Sequence, residues 1–373
     1  MHPAPGGTPA SPRSSGEGWP RRRLASVDAL RGCTVAAMLL VNDPGDWGHV
    51  YGLLEHAAWD GCTPTDLVFP FFLFLVGVSV ALALEPKQEA GVPRAVLLRG
   101  AGWRALRIVG LGLAINLLAW WLLPHAHLRL PGVLQRIGLC YAGVAVFALY
   151  ARQRTQWLAI ALLLGGYALL LHAGGTLAPW DNLVSRIDSA VFGPTVYQVD
   201  PASGRGHDPE GLAGTLPSLA TTLLGLVAGR WLRAGRTAAL AVAGLLALAA
   251  GLAWSAWQPF NKNLWTPSFA LWTAGWAFLA LLALHWLIDR HGGPAPGRRF
   301  GMNAIAIYAG SELMQILLPA AGWQQPLYER LFAGWITPRA GPYVASLTWA
   351  LAFVALWWAI AWAMDRRRLY LKL

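Results

Sequence analysis

The chain of 373 residues is long enough for two soluble domains of ordinary size or for one polytopic membrane domain. Apolar residues make up 56% of it and charged residues only 13%, about half of what covers a typical soluble surface, so soluble domains, disorder, collagen and coiled coil are excluded together. The net charge of +11 comes from basic residues in short clusters between long apolar runs, which is the pattern of a membrane protein and not of a nucleic-acid-binding face.

Residues 1–23 are rich in Pro, Gly and Ser and are expected to form a disordered cytoplasmic tail. Arg21–Arg23 precede the first apolar run, and no small-residue cleavage site follows it, so that run reads as a retained helix and not as a signal peptide. A span needs about 20 mostly apolar residues. Ten segments meet that requirement: 24–43, 65–84, 102–123, 132–150, 156–173, 212–231, 237–255, 265–288, 302–320 and 343–363. The expected fold class is therefore all-α: a polytopic transmembrane helix bundle over 24–364, closed by a basic cytoplasmic tail at 365–373. The longest connections are 44–64, 174–211 and 321–342. Cys33, Cys62 and Cys140 are odd in number, and two lie inside apolar runs, so they form neither a disulfide framework nor a metal site.

With the N-terminus inside, 21 of the 29 Lys and Arg fall in the inner segments and 6 in the outer loops. Arg31 and Arg136 lie within or at the ends of spans. Every inner loop is basic, which puts both termini in the cytoplasm, and the even number of spans agrees.

Polar groups in or at the mouth of a span are costly and therefore informative. Asp28 and Arg31 share a helix face at the inner end of the first span and read as a structural ion pair. Asn42 lies at the outer end of the same span. The loop from Asp43 to Pro64 has four acids, two histidines and two tryptophans but no Lys or Arg. His56 stands out within it. Its imidazole is either a solvated loop residue or a group that accepts and donates a proton, or carries an acyl group, within one turnover. Asp66, at the start of the second span, either caps its helix or orients an imidazole. Pro70 is expected to kink that span.

Gln135 and Arg136 open the fourth span at the outer face, where Arg136 either clamps a phosphate or carboxylate or snorkels. His125 and His127 are assigned no metal. His207, Asp208 and Glu210 precede the sixth span, and Asn261, Lys262 and Asn263 precede the eighth. Such amide, ammonium and carboxylate groups suit the hydroxyls and charges of a sugar, and they are also ordinary loop residues. Asn303 opens the ninth span at the inner face. Glu312 lies near its middle, where a carboxyl must be paired or protonated. The residues alone give a ten-span protein with an acid-rich site opening outward, without separating an enzyme from a transporter.

The order of these segments resembles the heparan-α-glucosaminide N-acetyltransferase family, including its short bacterial members linked to N-acetylglucosamine use. The resemblance rests first on the stretch Arg23 to Gly32 (RLASVDALRG), on Leu40-Val41-Asn42, and on Glu55 to Pro70 (EHAAWDGCTPTDLVFP). It continues through Gly132 to Gly138 (GVLQRIG), Asp208-Pro209-Glu210-Gly211, Asn261 to Trp265 (NKNLW) and Gly301-Met302-Asn303. The resemblance implies that His56 is the catalytic histidine of the HAxWxG block and that Asn42 lies near the acetyl donor. It implies acetyl-CoA as co-substrate and a terminal glucosamine amine as acceptor, on the non-cytoplasmic side. Arg136, with Gln135 and Trp59, is the expected CoA contact; Asp208, Glu210, Asn261, Lys262 and Asn263 are the expected sugar contacts.

This chain has no large N-terminal luminal segment, so a small amino sugar or a cell-envelope saccharide is the expected acceptor. Asp60 and Cys62 also depart from the family pattern. The expected setting is a multi-pass protein of a bacterial-type plasma membrane, whose partners are its saccharide and the lipid bilayer; a homodimer is admissible, and no metal or nucleic acid is expected. In the implied reaction His56 either carries the acetyl group or deprotonates the sugar ammonium. Asp66 orients the ring, and Asn42 stabilises the oxyanion. An amino-sugar permease and an O-acyltransferase of the same architecture are the rival readings.

Overall fold

The computed structural model describes residues 24–124 and 126–371. The tail read at 1–23, the residue His125, and residues 372 and 373 lie outside the described residues.

The first half of the chain runs through α1 (Ala25–Asn42), α2 (Val68–Ala83), the short α3 (Glu85–Glu89), α4 (Arg94–Leu122), α5 (Val133–Tyr150), α6 (Gln153–Ala173) and α7 (Leu183–Phe192). Two-residue strands β1 (Gln198–Val199) and β2 (Gly206–His207) pair antiparallel in the loop that follows. The second half holds α8 (Thr215–Arg233), α9 (Thr237–Ser255), α10 (Pro267–Leu284), α11 (Arg298–Met302), α12 (Ala304–Ala320), α13 (Gln324–Tyr328), α14 (Gly334–Ala340) and α15 (Pro342–Arg366). The protein is thus an all-α polytopic membrane protein. Each of the ten predicted spans coincides with one of the longer helices, because a run of about 20 apolar residues can satisfy its backbone in lipid only as a helix.

Eight of those helices are long and apolar enough to cross a membrane on their own. The two that fall short do so for different reasons. Helix α12 breaks into the α13–α14 pair at an angle of 97°. Helix α8 stands in the middle of the bundle, buried by protein along most of its length, so it tolerates hydroxyls that a lipid-facing helix would avoid. Ser218, Thr221 and Thr222 satisfy theirs by bonding back to the carbonyls of Gly214, Pro217 and Ser218. Helix α2 lies directly on α8 because both backbones are bare where they meet. A Cβ on Gly77 would overlap the Thr222 carbonyl oxygen, and one on Gly225 the Phe74 carbonyl oxygen.

Pro70, expected to kink this span, sits in the first turn of α2, just after a 3₁₀ turn over Pro64–Leu67, a position at which proline's fixed φ suits a helix start. The basic tail expected at 365–373 begins within the last helix. Helix α15 continues to Arg366, and the Asn303 side chain then holds the Leu369 carbonyl at 3.1 Å and the Leu371 amide at 3.0 Å.

At one end of the bundle lie Glu85 and Glu89, ion-paired with Arg230 and Arg233, and the predicted pair Arg31–Asp28 at 3.1 Å. Arg31 also donates to the Gly301 carbonyl and to Ser79 Oγ. At the opposite end the loops 43–67, 123–132, 174–214 and 256–266 converge, and the candidate site is built from these.

Candidate functional site

The loop carrying His56 is fixed by its own sequence. Thr63 and Asp66 form a capping box on the 3₁₀ turn, each side chain closing on the other residue's backbone. Asp66 is fully buried, and its two oxygens have separate partners. Oδ2 accepts from the Thr63 amide at 2.9 Å and the Ala57 amide at 3.1 Å, while the Thr63 hydroxyl donates to the Glu55 carbonyl at 2.7 Å. Oδ1 faces His56 Nδ1 at 2.7 Å. Cap and imidazole partner, which the sequence offers as alternatives, are the two ends of one carboxylate. A carboxylate with two amide donors on one oxygen is an acceptor on the other, so Nδ1 carries a ring proton, and in the neutral ring the lone pair is on Nε2. His56 itself is 44% exposed, with its ring open toward the loops around it.

A second loop is pinned against the first. The Gly61 amide donates to the Phe260 carbonyl at 2.7 Å, and Asn261 Nδ2 donates to Asp60 Oδ1 at 3.0 Å. Asn261 Oδ1 accepts the Leu264 amide, which closes the turn into α10. This cross-link carries Lys262 onto the imidazole: its Nζ lies 3.1 Å from Nδ1 and 3.0 Å from Nε2. Near-equal distances to the two ring nitrogens put the ammonium over the face of the imidazole, outside the in-plane direction of the Nε2 lone pair. Burial pushes the Lys262 pKa down, against the opposing pull of Glu210 and Asp66. Asn263 is half-buried beside it.

Arg129, which the sequence reading used only in the charge count, organises the third group. It forks onto Asp208 through Nε at 2.9 Å and Nη2 at 2.7 Å, and it also pairs with Glu210. Asp208 accepts the Tyr197 amide at 2.8 Å and the Glu210 amide at 2.9 Å as well. Its acceptor positions are thereby filled, and it holds the loop instead of facing an open site. Burial pushes the Glu210 carboxyl upward, but Arg129, Arg136 and Lys262 outweigh it and keep the group ionised. The signal for Arg129 in the sequence is slight: one basic residue in a short outer loop, 79 positions from its partner Asp208.

Behind these loops Trp59 donates its indole N–H to the Leu177 carbonyl at 2.9 Å and stands edge-on to His207, 5.0 Å between ring centroids. His207 Nδ1 lies 3.0 Å from Ser185 Oγ, and burial pulls its pKa down to about 4. Asp188 accepts the Leu212 amide at 2.8 Å; burial raises its pKa to about 7, with Asp208 adding to the rise.

Arg136 neither snorkels nor opens on a mouth. It is 1% exposed, donates Nη2 to the Gly211 carbonyl at 2.8 Å and lies over the Trp265 ring at 5.4 Å. Its Nε and Nη1 are buried with no hydrogen-bond partner among the described residues. Gln135 donates to the Leu130 carbonyl at 3.0 Å and lines a polar cavity of about 30 Å³ with Asn116, Tyr308 and Glu312. Glu312 hydrogen-bonds Tyr308. Asn42, half-buried at the end of α1, makes no hydrogen bond to His56, Asp66 or Lys262. Cys62, near Asp66, is no candidate acyl carrier: burial and the Asp66 charge push its pKa up to about 12, so the thiol stays protonated.

The arrangement is thus a histidine of fixed tautomer, backed by a buried carboxylate and fronted by an ammonium, with a clamped acidic loop beside it. Geometry of this kind serves proton abstraction from, or acyl transfer to, a nucleophile at Nε2.

Residues 23–255 match the family model described as heparan-alpha-glucosaminide N-acetyltransferase, catalytic. Among curated proteins the chain is similar to the human heparan-alpha-glucosaminide N-acetyltransferase, at 29% identity over 413 aligned residues, and to the mouse protein of the same name, at 26% over 417. Each alignment covers 94% of this chain and 60% of the relative, so the chain spans well under two thirds of the curated relatives' length.

Proposed function

Because the chain belongs to the heparan-α-glucosaminide N-acetyltransferase family, we propose that it is an integral-membrane acyltransferase moving the acetyl group of acetyl-CoA to the amine of a glucosamine-type sugar. The observation that carries this reading is the His56–Asp66 pair at 2.7 Å, in which a buried anion fixes the ring with Nε2 free for a substrate. A permease needs no such tautomer.

In the proposed reaction His56 Nε2 takes a proton from the sugar ammonium. The freed amine attacks the thioester carbonyl, a C–N bond forms, and the C–S bond breaks. Of the two protons the nitrogen sheds, one leaves on the CoA thiol and the other passes through His56 to water. Asp66 balances the imidazolium as it forms. Asn42 is the proposed donor to the acetyl oxygen, on the strength of its LVN block alone. Glu210 and Lys262 are the members of the proposed sugar set whose charges reach one another. The proposed CoA contacts Gln135 and Trp59 are supported by the resemblance, since both side chains already hold the fold.

The site is proposed to open away from the cytoplasm of a bacterial-type plasma membrane. The support is the charge census: the basic clusters gather at the end opposite to His56. The proposed acceptor is a small amino sugar or a cell-envelope saccharide.

Incubating the purified protein with acetyl-CoA and a panel of amino sugars tests the reading. The expected product gains the mass of one acetyl group and resists mild base, as an amide does and an ester does not, and His56→Ala abolishes it. Rapid-quench mass spectrometry of the protein separates direct attack from a transient Nε2-acetyl. Accumulation of labelled glucosamine in vesicles, with no acetylated amine from any acceptor, would overturn the proposal.

A further inference from the structure

The least expected contact in the site is that of Lys262. An ammonium flanked by the carboxylates of Asp66 and Glu210 would ordinarily settle on one of them, yet among the described residues it pairs with neither. It rests instead on the imidazole, 3.0 Å from Nε2. It is held there by chain geometry rather than by charge, through Asn261 bound to Asp60 and the Gly61 amide bound to the Phe260 carbonyl.

We propose that Lys262 is a positioning residue for His56: its ammonium, held over the ring at 3.1 Å from Nδ1 and 3.0 Å from Nε2, keeps the imidazole uncharged and leaves the in-plane Nε2 lone pair to the acceptor's own ammonium. This rests on the acyltransferase reading above. Asp66 alone, a buried anion on Nδ1, would draw a second proton onto the ring, and a protonated imidazole cannot serve as a base. A fixed positive charge at hydrogen-bond distance from the other nitrogen opposes that protonation.

The other charged and titratable groups facing this pair are Glu210, Arg129 and Cys62. Glu210 is clamped by Arg129, Cys62 stays a thiol, and Asp60 is turned to Asn261. Glu210 stays ionised against Arg129 and Cys62 stays protonated, so the limb that moves with Lys262 is that of the His56 site.

The test is the pH profile of kcat/KM for wild type, Lys262→Met and Lys262→Arg, with acetyl-CoA and the best acceptor of the panel. In Lys262→Met the acidic limb is expected to move to higher pH by about one unit or more, with kcat falling at neutral pH and little change in acceptor KM. Lys262→Arg retains the wild-type limb, because it restores the cation. If Lys262→Met raises KM and leaves both kcat and the limb in place, Lys262 is a sugar contact and the proposal fails.

A second measurement stands apart from turnover. The NMR titration of His56 in ring-labelled protein is expected to shift upward in Lys262→Met, and a superimposable titration overturns the inference. This experiment separates the two failures: an inactive wild type counts against the acyltransferase reading, whereas an unmoved His56 titration counts against Lys262 alone.

Discussion

Replacing Asp66 by Asn gives the sharpest test of the site, because the structure dictates how the amide must sit. Two donors, the Thr63 and Ala57 amides, converge on Oδ2. An Asn side chain at this position has one carbonyl oxygen, and leaving both amides without an acceptor would cost about 2–6 kcal/mol. The oxygen is therefore retained at the Oδ2 place. The NH2 group then falls where Oδ1 stood, facing His56 Nδ1, and it donates. The ring answers by moving its proton to Nε2, which removes the base from the substrate side. It also loses the negative charge that balances the imidazolium in the transition state.

In the serine-protease triad the same Asp→Asn change, with the same tautomer logic, costs about 10⁴ in kcat. At 1.36 kcal/mol per decade that is roughly 5 kcal/mol. Because His56 is 44% exposed and water screens the lost charge, the expectation here is a fall in kcat of about 10³, with acceptor KM changed by less than about threefold. Folding should be nearly unaffected, since both amide donors stay satisfied. Asp66→Ala, by contrast, orphans them and should lower the thermal midpoint by several degrees. Steady-state acetylation of the best amine acceptor and thermal unfolding in detergent measure the two effects. An Asp66→Asn protein within tenfold of wild-type kcat would show that the fixed tautomer is not what the reaction uses.

Three further outcomes follow from the same packing. Arg129→Ala should cost about 3–5 kcal/mol in unfolding measurements, because it strands the buried Asp208 and Glu210 carboxylates; Arg129→Lys should recover only part of that, having no fork for Asp208. Gly77→Leu should yield no folded protein by size exclusion, since the Thr222 carbonyl already occupies the space of a Cβ; a monodisperse, active variant would refute the packing. The pH dependence of stability should split into two opposed slopes. His207 titrates near 4 when folded and near 6.5 when unfolded, so its contribution is complete above about 6.5 and is lost as pH falls toward 4. Asp188 titrates near 7 when folded and near 3.9 when unfolded, so its contribution is complete below about 4 and is lost as pH rises to 7. The thermal midpoint of His207→Gln should therefore fall with pH across that range while that of Asp188→Asn rises; equal slopes in the two variants would refute the assignment.

The helices were legible because hydropathy acts locally: about 20 apolar residues announce a span whatever lies elsewhere in the chain. The same locality hid the difference between α8 and its neighbours. Lipid and protein both bury apolar side chains, and only the hydroxyls of Ser218, Thr221 and Thr222 hint that α8 faces protein. Asp66 was legible for a related reason, since the Thr63–Asp66 spacing is a short-range cap signal and His56 is only ten residues away. What sequence reasoning posed as a choice between cap and imidazole partner was never a choice, because a carboxylate has two oxygens.

The groups that escaped notice are those whose meaning depends on distant loops. Lys262 reaches His56 across 206 positions, and Arg129 reaches Asp208 across 79. Neither contact follows from any periodicity, and each is set by a cross-link that exists only once the helices have assembled. Arg136 shows the opposite error. Its place at the start of a span suggested a surface cation, but Trp265 and the loop before α8 close over it, leaving its Nε and Nη1 buried without a hydrogen-bond partner among the described residues. Charges near span ends therefore divide into those that packing leaves facing a cavity and those it seals. In this chain the division falls between Lys262, beside the open face of an imidazole, and Arg136, behind a tryptophan. That difference in surroundings, with charge held equal, is why the functional weight belongs on Lys262.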